Sequence, residues 1–114
     1  METTVLVRSS SRDEPYRIVV MLDENGLSFY CDCQAGERGQ LCKHKMALAS
    51  GDSSILYNEE QSNNYNDVKS LVNKSNYPQL ISELREYEKE LEKVQKKIKG
   101  MKQKIARVMK EGLK

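Results

Sequence analysis

The chain contains no tryptophan and one phenylalanine, and only 38% of its 114 residues are apolar. That composition excludes a large core, although the apolar share is too high for a wholly disordered chain. The longest apolar run, Ile18 to Leu22, is far short of a membrane span, and no apolar stretch follows Met1 as a secretory signal would. These absences predict a soluble, cytoplasmic protein. Cysteine is scarce and odd in number, so its three residues cannot all pair into disulfides. In a reducing compartment such cysteines are more often metal ligands than bridges. Histidine occurs once. With no second His, no spare Cys and no nucleophile–base set, an enzyme is not expected.

The length allows one domain plus an extension. The net charge of +2 is unevenly spread along it. Residues 1–57 carry six basic against eight acidic side chains, whereas residues 77–114 carry eleven against six. Attraction to polyanions is therefore expected of the C-terminal part alone.

The pattern predicts an α+β chain in three parts: a zinc-binding module over 1–57, a polar linker over 58–76 and a coiled-coil helix over 77–112. Thr3–Arg8 alternates as a strand. Tyr16–Leu22 and Leu27–Cys33 read as a hairpin, with Asn25–Gly26 in a type I′ turn. That turn sets Leu22 opposite Phe29, Val20 opposite Cys31 and Ile18 opposite Cys33. Because side chains alternate with period two, Phe29, Cys31 and Cys33 share the face of Leu22, Val20 and Ile18. Gln34–Gln40 reads as a tight loop. Cys42–Ser50 reads as a short helix closed by Gly51, and Ile55–Tyr57 completes a small core. The Asn- and Ser-rich stretch 58–76 reads as a connector, with a short helix possible around Val68–Val72.

Cys31, Cys33, Cys42 and His44 comprise every Cys and the only His, within fourteen residues. Structural zinc takes four S or N ligands tetrahedrally, so this set predicts one closed zinc site with no open position for water or substrate. A CxxC redox pair is excluded by the CxC spacing.

The motif Cys31-Asp-Cys33, eight residues, then Cys42-Lys-His44, on a strand–strand–helix frame over about residues 16–50, resembles a SWIM-type zinc finger. The resemblance implies zinc on those four residues and a DNA- or protein-binding module. It implies nothing about the larger ATPases and transposases in which such modules occur. CDGSH-type iron–sulfur proteins also use three Cys and one His, but there the His follows the last Cys by four residues, against two here.

From Asn76, Pro78 and Gln79, a helix-start signal, the last third carries a heptad repeat. Leu84, Leu91, Ile98 and Ile105 recur every seven residues, and Leu80, Tyr87, Val94, Met101 and Val108 form a second series. So narrow a seam suits a partner helix better than a globular face. The expected dimer interface is Leu84, Tyr87, Leu91, Val94, Ile98, Met101 and Ile105. A parallel pair would set Glu83 against Glu88 and Lys97 against Lys102. An antiparallel pair sets Glu83 against Lys104, Glu90 against Lys97 and Glu88 against Lys102, so an antiparallel homodimer is expected, with a heteromeric helix as the other partner class. From Lys93 to Lys110 no acid interrupts eight positive charges, and Lys96, Lys97, Lys99, Lys102, Lys104 and Arg107 are the candidates for nucleic-acid contact.

Overall fold

In the computed structural model, which describes residues 1–112, the alternating β-branched stretches form an antiparallel sheet in the order β1 (Glu2–Val7), β2 (Tyr16–Asp23), β3 (Gly26–Cys31). Four helices follow: α1 (Gln34–Glu37), α2 (Lys43–Ala49), α3 (Ser62–Asn73) and the long α4 (Tyr77–Glu111). Two 3₁₀ turns, Ser53–Ile55 and Glu59–Gln61, lie between α2 and α3. The chain divides into a unit of Met1–Gln79 and a second beginning at Leu80. Among the described residues, no helix is long and apolar enough to cross a membrane.

The β2–β3 register differs from the one expected. Asp23 faces Gly26, so Leu22 pairs with Leu27, Val20 with Phe29 and Ile18 with Cys31. A type I′ turn needs positive φ at both central residues. Here Gly26 has φ 113° while, among the described residues, none other than glycine is positive, and the Asp23 carboxylate accepts the Asn25 N–H at 2.8 Å. That local bond fixes the turn one step earlier. The slip amounts to one side-chain period, so every residue keeps its face. Ile18, Val20 and Cys31 are buried together with Val5 and Val7 of β1.

Residues 58–76 are not the polar linker that composition suggests. In α3, Tyr65, Val68 and Val72 fall at i, i+3 and i+7 and are buried in the same core as the sheet. The polar residues around them satisfy the exposed edge of β1. Gln61 Oε1 accepts the Leu6 N–H at 2.9 Å, and Asn64 Nδ2 donates to the Thr4 carbonyl at 3.0 Å. Further along that edge Arg8 N–H donates to the Ile55 carbonyl and Tyr57 N–H to the Leu6 carbonyl. An open edge is a template for unwanted strand pairing, and here side chains and a short bridge at Leu56 cover it. As expected, Leu56 is buried and Ile55 packs against the core, although Tyr57 stays exposed.

The start of α4 matches the sequence signal, and Ser75 supplies the cap: its hydroxyl accepts the Tyr77 N–H at 3.1 Å. The Tyr77 ring packs edge-on against Phe29 at 5.3 Å between centroids, and its hydroxyl donates to the Leu27 carbonyl.

Candidate metal centre

Each of the four Cys/His residues is placed by a different piece of local structure. Cys31 ends β3, facing inward opposite Ile18. Cys33 does not lie on the strand face as expected: the strand stops at Cys31, and Cys33 is the N-cap of α1, a turn of helix where a loop was expected. Its Sγ accepts the Gly36 N–H at 3.3 Å. Cys42 repeats the arrangement at α2, its Sγ accepting the Lys45 N–H at 3.3 Å. His44 then sits in the first turn of α2, facing inward, while Gly51 at φ 84° closes that helix as the sequence indicated.

The four ligand atoms lie within 4.8 Å of one another and all four residues are buried. A tetrahedral ion with bonds of about 2.0–2.3 Å separates its ligands by roughly 3.5–3.8 Å. His44 Nδ1 is already 3.8 Å from Cys31 Sγ. The cluster is positioned to hold a metal ion. One observation tests the fit: His44 Nε2 is buried with no hydrogen-bond partner. Buried polar atoms are nearly always satisfied; this ring, with Nδ1 beside the Cys31 thiol and Nε2 unpartnered, has a nitrogen free to ligate a cation. None of the three cysteines is in a disulfide.

The electrostatics differ from one donor to the next. Burial, followed by the Lys43 charge, lowers the His44 pKa, which keeps the imidazole neutral and able to ligate. Burial pushes the Cys31 thiol up to about 12. Burial also opposes ionisation of Cys33, but hydrogen bonds from the Gly36 N–H and from the Cys31 and Cys42 thiols outweigh it and lower that pKa. A metal must therefore displace a proton from Cys31 at any pH below about 12. Apparent affinity is expected to fall by at least about tenfold per unit as pH drops. Competitive titration with a chromophoric chelator at several pH values measures that slope, and a flat profile would contradict it.

Two positions around the cluster were not legible in the sequence as site residues. Asp32, the spacer of the CxC motif, clamps the ligand segment to β2: its Oδ1 accepts the Arg17 N–H at 2.8 Å and its own N–H donates to the Arg17 carbonyl at 3.2 Å. Gly36 reads in the sequence only as a loop glycine. A Cβ there would overlap the Cys31 backbone, with the carbonyl carbon at 2.8 Å, because the chain passes directly under β3. Gly36→Ala is expected to destabilise the metal-loaded protein by about 3 kcal/mol through that overlap. Gly100→Ala, with nothing within 4 Å of the added carbon, should instead stabilise α4 by about 0.8 kcal/mol. Paired thermal melts compare the two; equal effects would mean the Gly36 contact is not tight. A third feature is a stack over the imidazole: Tyr16 lies 4.9 Å from the His44 ring, and the Arg12 guanidinium 4.0 Å from the Tyr16 centroid. Tyr16 was recognisable as a strand residue, but its approach to His44 arises only when β2 and α2 meet.

The nucleic-acid candidates and the dimer-interface residues lie on α4, apart in sequence from the cluster, and all are exposed. Comparison with protein-family models, with curated proteins and with solved structures gives no match for this chain.

Proposed function

We propose that this protein is a zinc-stapled interaction module of SWIM type, and an adaptor rather than an enzyme. The observation that carries the reading is the convergence of three thiols and one imidazole, all buried, on a space the size of one ion. Four protein ligands complete a tetrahedral shell, so zinc here would hold the fold together and leave no coordination position for a substrate. Thiolate and imidazole ligands in tetrahedral array favour zinc over hard cations. The CxC and CxH spacing, with Cys33 and Cys42 each capping a helix start, supports the SWIM assignment. In this reading the staple fixes a small surface for recognition, and α4 engages a partner helix.

Metal analysis of protein purified without added metal tests it, together with replacement by cobalt(II). One zinc per chain is expected, with the intense visible bands of tetrahedral cobalt–thiolate coordination. A red-brown protein containing iron and sulfide, or octahedral cobalt spectra, would overturn the reading.

A second reading, DNA or RNA binding along α4, is favoured by the exposed basic stretch Lys93–Lys110. It requires affinity that falls steeply with salt as counterions are released. Binding that is insensitive to salt, or absent, would leave the adaptor reading alone.

A further inference from the structure

We infer that α4 pairs with α4 of a second copy of this chain, antiparallel and in one register. The inference concerns α4 alone and does not depend on the metal. Along this 35-residue helix the apolar seam from Leu80 to Ile105 is between 38% and 68% exposed, in a repeat that suits a facing helix. An exposed seam does not identify its occupant. The charges beside it do.

The helix is electrically polar over a much longer distance than its macrodipole explains. Residues 83–92 carry five acids against two bases, while residues 93–110 carry eight bases and no acid. Helix-dipole compensation acts only within the first and last turns. Pairing within the helix does not absorb the charges either. Among the described residues, the ion pair on α4 joins Glu92 to Lys96 at 3.6 Å, away from the seam. Glu83, Glu90, Lys97 and Lys104 are left on the flank of the seam, one residue before each first-series apolar position.

In an antiparallel pair these flanking positions meet their own kind across the interface. The register that sets Leu80 against Ile105 of the second copy, Leu84 against Met101 and Leu91 against Val94 also sets Glu83 against Lys104 and Glu90 against Lys97. Symmetry doubles each contact, giving four opposite-charge contacts and no like-charge one at these positions. Shifting by one heptad toward the C-terminus keeps one kind of opposite-charge contact, Glu90 against Lys104, but sets Lys97 against Lys97 and Glu83 against Glu111. Shifting the other way keeps Glu83 against Lys97 but sets Glu90 against Glu90 and leaves Lys104 unpaired beside the seam. Parallel pairing sets Glu83 against Glu88 and Lys97 against Lys102. Only one arrangement satisfies both the apolar layers and the charges. It separates the two Leu80 residues by about 38 Å along the coil, making the assembly bivalent.

Sedimentation equilibrium of the full-length protein over a wide concentration range tests the inference. The wild type is expected to pass from monomer to dimer. Glu83→Lys with Glu90→Lys converts all four contacts to like-charge pairs and should raise the dimer Kd about a hundredfold. Adding Lys97→Glu and Lys104→Glu to the same chain should restore the wild-type value within about threefold. Circular dichroism confirms that α4 stays helical in both variants. A parallel pair would instead tighten in the double variant, because Glu83→Lys would place a cation opposite Glu88. Tightening, an unchanged Kd, failure of the four-fold exchange to restore pairing, or a monomer at every concentration overturns the inference.

Discussion

Cys33→Ser and His44→Ala are each expected to unfold the first unit in neutral buffer while α4 keeps most of its helical signal. The unit spans Met1–Gln79, a size at which burial alone leaves little net stability. Structural zinc contributes on the order of 10 kcal/mol of apparent binding energy to folding in small modules. Loss of one ligand removes most of that contribution. His44→Ala also removes the ring that packs against Tyr16. Chelation of the wild-type metal should reproduce the loss, and the chelator should have no further effect on either variant. Tyrosine near-ultraviolet dichroism follows the first unit and far-ultraviolet dichroism follows total helix. An unchanged melting temperature in both variants would show that the cluster does not hold an ion that stabilises the fold.

Val68→Asp is expected to be nearly as damaging, costing more than about 4 kcal/mol, because it places an unpaired carboxylate in an apolar core. Val68 is 0% exposed and belongs to the cluster formed by the sheet, α2 and α3. Val68→Ala should cost about 2 kcal/mol, the share of two deleted methyl groups and the cavity they leave. Lys69→Asp, one position along on the exposed face, should change stability by less than about 0.5 kcal/mol. Denaturant titration of the metal-loaded protein separates the three. If Val68→Asp proved as mild as Lys69→Asp, residues 58–76 would behave as the linker their composition resembles, and α3 would not belong to the folded unit.

The two experiments touch opposite ends of what could be read without coordinates. The Cys/His cluster was legible because it takes in every Cys and the only His of the chain, the residue types that structural zinc sites favour. The face of Cys31 was legible because side-chain parity survives a slip of one full period, even though the turn formed one step earlier than Asn25–Gly26 suggested. The closure of α2 at Gly51 and the start of α4 near Tyr77 follow from caps and backbone angles that neighbouring residues set.

By itself the sequence determined what depends on neighbours along the chain: strand alternation, helix ends, the spacing of the ligands and the seven-residue period of α4. Tertiary structure decided what depends on meeting across it. Gln61 and Asn64 look like linker residues until the edge of β1 arrives to need a donor and an acceptor. Gly36 looks like any loop glycine until β3 lies directly over it. A polar residue bonded to a distant backbone and one bonded to water have the same letter in the sequence, and the folded geometry alone distinguishes them.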